Sequence, residues 1–142
     1  MNVEPLQDVI KSINDADIIV IGPGSLYTNV LPNLLVRNVS KAIKESKAIK
    51  VYVSNIMTEP GQTDNYSLSD HIAAIQEHVG ARVFDYCLAD YGDVIPEYIR
   101  KYNKEGSDLV EVDTKKLNSY NIKVIQRNMS CVKNDKIRHN HD

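Results

Sequence analysis

The 142-residue sequence is short of the features that would mark an unusual structural class. It contains no tryptophan, one phenylalanine and only two cysteines. Cys87 and Cys131 lie far apart and form no Cys-x-x-Cys pair, which argues against a disulfide framework. Cys87 lies in an apolar run, as is typical of a buried small residue. We therefore expect a reducing, cytoplasmic environment.

Long apolar runs and an excess of one charge are also missing. No segment approaches the roughly 20 apolar residues that a membrane span requires, and no signal-peptide pattern opens the sequence. The net charge of −2 gives no electrostatic reason to expect nucleic acid or an anionic membrane. We expect neither a nucleic-acid partner nor a membrane span.

The remaining composition is that of one globular domain. Hydrophobic residues make up 42% and charged residues 25% of the chain, which is ordinary for such proteins. The length suffices to bury a core, so we predict a single domain over 1–142. The basic end from Lys133 to His139 is typical of a solvated terminus, and we predict a C-terminal tail over 129–142.

Apolar periodicity alternates between the helical and the extended pattern along the chain. This alternation predicts an α/β fold, with helices on both faces of a mostly parallel sheet. The predicted helices cover about 5–14, Pro32 to about Ser46, a segment after Ser67 that ends at Gly80, and Pro96 to about Asn103. The predicted strands cover 18–21, 49–53, 83–88, 109–112 and 122–125.

The first predicted strand runs straight into a glycine loop. Its β-branched run, 18–21, is typical of a parallel strand that is covered on both faces. Gly22 and Gly24 let the backbone turn and approach a ligand closely. Ser25, Tyr27 and Thr28 place hydroxyl groups beside the positive end of a following helix. The loop lacks the Gly-Lys-Ser/Thr ending of a P-loop, so a phosphate-binding role and a structural role both stay open.

A second polar loop follows the next strand and supplies Asn55, Met57 and Thr58. Asn55 and Thr58 carry groups that hydrogen-bond a polar ligand without ionising, and Met57 is suited to contacting a base or a sugar. A third loop covers 89–93. Because the carboxyl ends of parallel strands meet at one edge of the sheet, we expect the three loops to converge there.

Other polar residues have both a structural and a chemical interpretation. Asp70 stands three residues after Ser67, the spacing of a helix capping box. His71 and His78 lie two turns apart without a carboxylate or cysteine cluster, so a metal pair is disfavoured. Asp90 and Asp93 are turn residues or, in a transferase, candidate ligands for Mg²⁺ on a phosphate.

The two loop motifs together resemble a known family. Gly22-Pro-Gly-Ser-Leu-Tyr-Thr-Asn-Val-Leu-Pro-Asn-Leu-Leu-Val36 and Val51-Tyr-Val-Ser-Asn-Ile-Met-Thr-Glu-Pro-Gly-Gln-Thr-Asp64 are similar to the signatures of the YvcK group. This group is the gluconeogenesis-factor branch of the CofD-like superfamily. Ser69-Asp-His-Ile72 and Ile137-Arg-His139 continue the match.

The resemblance implies a Rossmann-like three-layer fold and a nucleotide-sugar ligand. It implies a cytoplasmic regulatory protein that binds UDP-sugars and is linked to gluconeogenic growth, cell shape and cell-wall synthesis. The alternative is a transferase of the CofD type, which moves a phospholactyl group from a nucleotide-diphospho donor to a deazaflavin acceptor and uses Mg²⁺. A homo-oligomer stays open. The implied ligand-binding residues match the family motifs: Gly22, Gly24, Ser25, Tyr27, Thr28, Asn55, Met57 and Thr58.

The sequence departs from the family pattern in one major respect. Family members begin with a strand and a Gly-Gly-Gly-Thr-Gly loop, and no such segment is present here. Ser54 also stands where a cysteine is usual, and Arg37-Asn38 replaces a Pro-Gly pair. We therefore expect this chain to represent the C-terminal half of such a domain, with an incomplete sheet.

Overall fold

The computed structural model describes residues 6–80, 82–91 and 94–140. Its centre is a four-stranded parallel sheet in the order β1-β2-β3-β4, which confirms the predicted α/β class. These strands are Ile18–Ile21, Ile49–Val53, Tyr86–Asp90 and Lys123–Arg127. The helices α1 to α6 are Gln7–Asp15, Leu31–Leu34, Val39–Glu45, Leu68–Val79, Pro96–Lys104 and Thr114–Ser119. None of the helices in these three ranges has the length and apolar character needed to cross a bilayer.

The strand order places the main core on one face of the sheet. The strands lie in the sheet in the order in which they occur in the sequence. Each right-handed crossover therefore runs in the same direction and places its helix on the same face of the sheet. On this face Tyr52, Cys87 and Ala89 are fully buried. They belong to a core cluster that includes Ile43 of α3 and Ile72 of α4.

The opposite face of the sheet is apolar and only partly covered within the described residues. Ile18, Val20 and Ile49 are 57%, 59% and 45% exposed. The register places Ile18 beside Ile49, and Val20 beside Val51. The expectation that the first strand is covered on both faces is therefore wrong for the described chain. The second face is uncovered because the strands follow one another in the sheet in sequence order. No reversal of the strand order directs a crossover helix to that face.

The predicted capping box at the start of α4 is confirmed. The Ser67 hydroxyl accepts a hydrogen bond from the Asp70 N–H at 3.3 Å, and the Asp70 carboxylate accepts one from the Ser67 N–H at 2.9 Å. This pairing satisfies two N–H groups at the helix start. Gly80 closes the helix with a φ of 73°, a conformation that glycine adopts without strain.

The helical segment after the glycine loop differs from the prediction. A π-helical turn, Leu26–Val30, runs directly into α2, and α3 begins only at Val39. Asn38 lies between α2 and α3 with a φ of 67°. This left-handed conformation interrupts a right-handed helix and is tolerated by asparagine better than by most residues. The predicted single helix from Pro32 to Ser46 is therefore two shorter ones.

The C-terminal segment folds instead of forming the predicted tail. Ser130–Lys133 and Lys136–His139 pair as an antiparallel hairpin, β5 and β6. Asn134 and Asp135 form its turn with φ values of 52° and 58°. Two consecutive residues with positive φ match the tight turn that suits a twisted hairpin. Residues 141 and 142 lie outside the described residues.

Two predicted strands also differ from the structure. The third strand begins at Tyr86 and reaches Asp90, later than the predicted 83–88. The predicted strand 109–112 is reduced to one isolated bridge between Leu109 and Met57. This bridge nevertheless brings the 107–112 segment against the loop that follows β2.

Candidate functional site

The backbone conformation of the glycine loop after β1 does not itself require glycine. The φ angles of Gly22 and Gly24 lie outside the left-handed region, which in this chain is reached by other glycines. A Cβ built on Gly22 would meet nothing within 4 Å, and one on Gly24 would lie 3.7 Å from Val30 Cγ2, an ordinary contact. Since neither strain nor packing demands glycine, the bare backbone leaves room for a ligand.

Ser25 begins the helical segment that follows this loop. Its carbonyl accepts hydrogen bonds from the N–H groups of Asn29 at 2.9 Å and Val30 at 3.0 Å. The first N–H groups of a helix have no acceptor within the helix, and they carry its partial positive charge. The half-buried Ser25 hydroxyl therefore lies beside polar hydrogens that favour an anion.

Asn55 joins the second loop to the first. Its Oδ1 accepts a hydrogen bond from the Gly24 N–H, and its Nδ2 donates one to the Gly24 carbonyl, both at 2.9 Å. The two contacts bridge 31 residues of sequence and place the loops side by side, as predicted from the strand ends. Because Asn55 uses both faces of its amide on Gly24, it acts first as a support of the loop.

These two loops form one wall of a cleft of about 320 Å³, which we call the glycine-loop cleft. It brings together four of the predicted ligand-binding residues: Gly24, Ser25, Asn55 and Met57. The remaining lining comes from Pro23, Ile56, Glu59, Tyr102, Ile137, Arg138 and His139.

The opposite wall of the glycine-loop cleft is the C-terminal hairpin. The His139 ring donates its Nε2–H to the Ser54 carbonyl at 3.0 Å, since a carbonyl oxygen only accepts. The Ile137 N–H donates to the Tyr102 hydroxyl at 3.2 Å. These two bonds hold the backbone on either side of Arg138 at the cleft, and the Arg138 side chain is exposed. The hairpin thus adds a positively charged side chain to the lining of the cleft.

Sequence reasoning from local patterns missed Tyr102, Arg138 and His139 as members of this cleft. They come from α5 and from the segment that was predicted to be a tail. The available signal was the family resemblance of Ile137-Arg-His139, together with the Asn134-Asp135 dipeptide, which marks a hairpin turn.

Tyr27 is directed away from the cleft. Its hydroxyl lies 2.7 Å from the Tyr66 hydroxyl, and its ring makes edge contacts with the rings of Tyr66 and His78. The hydrogen bond with Tyr66, reinforced by partial burial, raises the pKa of Tyr27 to about 12. Tyr27 therefore stays neutral at physiological pH and links the helical segment to α4.

Thr58 supports the fold beneath the cleft. Its hydroxyl accepts a hydrogen bond from the Asp108 N–H at 2.8 Å, and its own N–H donates to the Asp108 carbonyl at 2.7 Å. It is 6% exposed and fastens the 107–108 segment to the second loop. Gly22 and Thr28 are exposed and do not line the cleft.

The third loop contributes Asp90, whose carboxylate accepts a hydrogen bond from the Met129 N–H at 2.7 Å. Asp93 lies outside the described residues. Within the described ranges, no three side chains of His, Cys, Asp or Glu are grouped so that they could hold a metal ion. His71 and His78 instead bind the carbonyls of Ser67 and Ala74 through Nδ1, at 2.9 and 2.7 Å.

Comparison with known proteins extends these observations. Residues 1–130 match the family described as 2-phospho-L-lactate transferase CofD. The gluconeogenesis factor of Bacillus subtilis is 41% identical over 137 residues, which cover 96% of this chain and 43% of that protein. The gluconeogenesis factor of Halalkalibacterium halodurans is 45% identical over 138 residues, with coverages of 96% and 42%.

A solved structure shows the same relationship. The crystal structure of a UPF0052-family protein from Bacillus halodurans superposes with a TM-score of 0.93 at 44% identity, covering 96% of this chain and 44% of that one. The chain therefore spans less than half the length of these relatives.

Proposed function

The chain belongs to the CofD family, and from that premise we propose that its glycine-loop cleft is part of a site for a nucleotide sugar such as UDP-N-acetylglucosamine. The relatives named gluconeogenesis factor favour a regulatory role. On this proposal the protein is cytoplasmic and links nucleotide-sugar binding to gluconeogenic growth, cell shape and cell-wall synthesis.

The observation that carries the proposal is the meeting of Arg138 with the glycine loop across one cleft. A guanidinium group binds phosphate oxygens through two parallel N–H donors. The helix start after Ser25 supplies backbone N–H donors and a partial positive charge. Because they line the same cleft, these groups together suit a diphosphate.

Two titratable groups of the cleft take part in protein contacts. The Glu59 carboxylate accepts a hydrogen bond from the Gln62 side chain at 2.8 Å. His139 uses Nε2 on the Ser54 carbonyl. These structural roles favour binding without turnover.

The transferase remains the second candidate, because the family description itself names a 2-phospho-L-lactate transferase. On this alternative the phospholactyl group passes from a nucleotide-diphospho donor to a deazaflavin acceptor. Incubating the protein with donor, acceptor and Mg²⁺ tests it directly. Formation of the transferred product would establish the enzyme, whereas tight binding that is independent of Mg²⁺ and gives no product would reject it.

Calorimetry with UDP-N-acetylglucosamine tests the leading proposal, on this chain and on the full-length Bacillus subtilis relative. We expect heat of binding from both, or from the longer protein alone if the site also needs residues outside the region that the two proteins share. The absence of heat from both proteins would reject the proposal.

Two glycine variants provide a matched pair for the same titration. Gly24→Ala places a methyl group in the cleft wall at ordinary contact distance from Val30, so the variant should fold and bind at least about tenfold more weakly. Gly22→Ala adds its methyl group in open space outside the cleft and should bind normally. Equal affinities of the two variants would contradict a phosphate contact at Gly24.

A further inference from the structure

A second cleft of about 300 Å³ adjoins the glycine-loop cleft. It opens where β2, β3 and β4 end, and the two clefts share Asn55 and Ile56. Because Asn55 is fixed by its two bonds to Gly24, the division between the clefts is fixed as well. The two clefts therefore adjoin at Asn55 and Ile56, and a ligand with two parts could place one part in each.

The two clefts differ in charge. The glycine-loop cleft is lined by both Arg138 and Glu59, whereas the second cleft is lined by the acidic residues Asp90 and Glu111 without a lysine or arginine. The Glu111 carbonyl accepts a hydrogen bond from the Leu68 N–H at 2.8 Å, which fixes its backbone. Its exposed carboxylate has no ion pair or hydrogen bond within the described part of the chain. These carboxylates repel a negatively charged diphosphate, so the part of the ligand in this cleft is not an anion.

The remaining lining of the second cleft suits a polyhydroxylated ring. Carboxylates accept hydrogen bonds from hydroxyl groups, and the Gln126 amide both donates and accepts. Val110 and Val112 provide apolar surface, and the Tyr91 ring, which is 51% exposed, stands at the cleft margin. A sugar combines these two characters, since its hydroxyl groups lie at the ring edge and its C–H groups form an apolar face.

We propose that the second cleft is the sugar subsite, in which Glu111 and Gln126 hydrogen-bond the hydroxyl groups of the sugar of a bound nucleotide sugar. This inference rests on the proposed function, and it assigns the diphosphate and the sugar to opposite sides of Asn55. Glu111 and Gln126 are then the residues that distinguish a nucleotide sugar from the free nucleotide.

The test compares UDP with UDP-N-acetylglucosamine by calorimetry on this chain and on its Glu111→Gln and Gln126→Ala variants. Both side chains are exposed, so the variants should fold, which circular dichroism verifies. The wild-type chain should bind the nucleotide sugar more tightly than UDP. Glu111→Gln should weaken nucleotide-sugar binding about tenfold, because a neutral amide oxygen replaces the charged acceptor of the sugar hydroxyl group, and should not weaken UDP binding. Glu45→Gln, an exposed α3 variant far from the cleft, serves as the charge control and should change neither affinity.

The other outcomes distinguish an error in the sugar subsite from an error in the proposed function. Equal wild-type affinities for UDP and the nucleotide sugar would overturn the sugar subsite and leave the proposed function intact. Equal weakening of both ligands, or none, in the Glu111→Gln and Gln126→Ala variants would also overturn the subsite alone. If neither the wild-type chain nor the full-length Bacillus subtilis relative binds either ligand, the proposed function fails and the subsite fails with it.

Discussion

The side-chain amide of Asn55 and the backbone of Gly24 form a reciprocal pair of hydrogen bonds, each 2.9 Å long. Asn55 accepts from the Gly24 N–H and donates to the Gly24 carbonyl, so one side chain pairs with both backbone polar groups of a residue in the neighbouring loop. The pair holds the two loops together and separates the two clefts. Both the stability of the loop and the shape of the site depend on it.

Asn55→Asp should therefore lower both stability and ligand affinity. The variant keeps an acceptor for the Gly24 N–H but loses the donor to the Gly24 carbonyl, and a carboxylate oxygen would then face that carbonyl. We expect the free energy of unfolding to fall by about 1–3 kcal/mol, measured by urea denaturation. UDP-N-acetylglucosamine binding should weaken in parallel.

Asn118→Asp is the matched control for the added negative charge. Asn118 is exposed on α6, so the same chemical change there should have little effect on stability. If both variants unfold at the same urea concentration as the wild type, the Asn55–Gly24 pair is not a significant support of the loop.

The strands that were predicted most accurately are those with strong local signals. β1 and β2 have the predicted bounds because each is a short apolar run between polar segments. The open second face of the sheet could not be predicted in the same way. It follows from the strand order, which is a property of long-range pairing and leaves no trace in the periodicity of one segment.

The site shows the same division between local and long-range information. Gly24 and Asn55 could be predicted because each lies just after a strand of the parallel sheet, where such sheets place their ligands. Arg138 could not, because it reaches the cleft through a hairpin that docks on Ser54, 85 residues from His139 in the sequence. Tyr27 and Thr58 carried suitable hydroxyl groups, but hydrogen bonds to Tyr66 and to the Asp108 segment engage them elsewhere.

Tyr27→Phe should leave nucleotide-sugar binding unchanged. The Tyr27 hydroxyl bonds to Tyr66 outside the cleft, so its removal costs about 0.5–1.5 kcal/mol of stability without altering the ligand contacts. Calorimetry and urea denaturation measure the two effects separately. Loss of affinity in a folded Tyr27→Phe protein would place the hydroxyl in the ligand site after all.

The same variant has a spectroscopic signature. The pKa of Tyr27 is raised to about 12, so this phenol ionises well above the usual pKa of about 10. Absorbance titration near 295 nm should lose one late-ionising component in Tyr27→Phe, whereas Tyr52, whose pKa is also raised by burial, keeps its own. Tyr120→Phe, in which a half-buried tyrosine outside the pair is changed, should retain that component.

His71 should make the protein less stable in mild acid. The imidazole is 1% exposed, its Nδ1–H donates to the Ser67 carbonyl, and its Nε2 has no partner within the described residues. Burial lowers the pKa of His71, although the Ser67 carbonyl and the Asp70 charge oppose the shift. Below about pH 6.5 the unfolded chain therefore binds a proton that the folded chain does not.

The expected result is a fall in the free energy of unfolding as the pH decreases below about 6.5. His71 contributes at most about 1.4 kcal/mol per pH unit to this pH dependence of the free energy of unfolding. The contribution ends below the lowered pKa of His71 in the folded state. His71→Asn keeps an N–H donor but does not titrate, so it should be less stable at neutral pH and should lack this slope. Denaturation at several pH values between 5 and 8 measures both effects.

His78→Asn is the control for this experiment. His78 makes the equivalent bond through Nδ1, to the Ala74 carbonyl at 2.7 Å, but its side chain is exposed. The His78 variant should retain the acid dependence of the wild type. A slope that disappears in His78→Asn and persists in His71→Asn would refute the assignment to the buried ring.

The open face of the sheet should drive concentration-dependent self-association of the isolated chain. Ile18 and Val20 are more than half exposed on β1, which is an edge strand of the sheet. Parallel sheets are normally covered on both faces, and an apolar edge strand is a template for pairing with another chain. We expect the apparent mass to rise above 16.0 kDa with concentration, as measured by sedimentation velocity.

Replacing both residues with lysine should restore the monomer, because charged side chains on an edge strand oppose both pairing and face-to-face contact. Val132→Lys changes a residue of similar character, 42% exposed on the hairpin, and should leave the association intact. A wild-type chain that stays monomeric at every concentration would show that the apolar face alone is insufficient for self-association. Equal effects of the β1 and hairpin variants would assign the association to general surface hydrophobicity, because β1 would then have no special role.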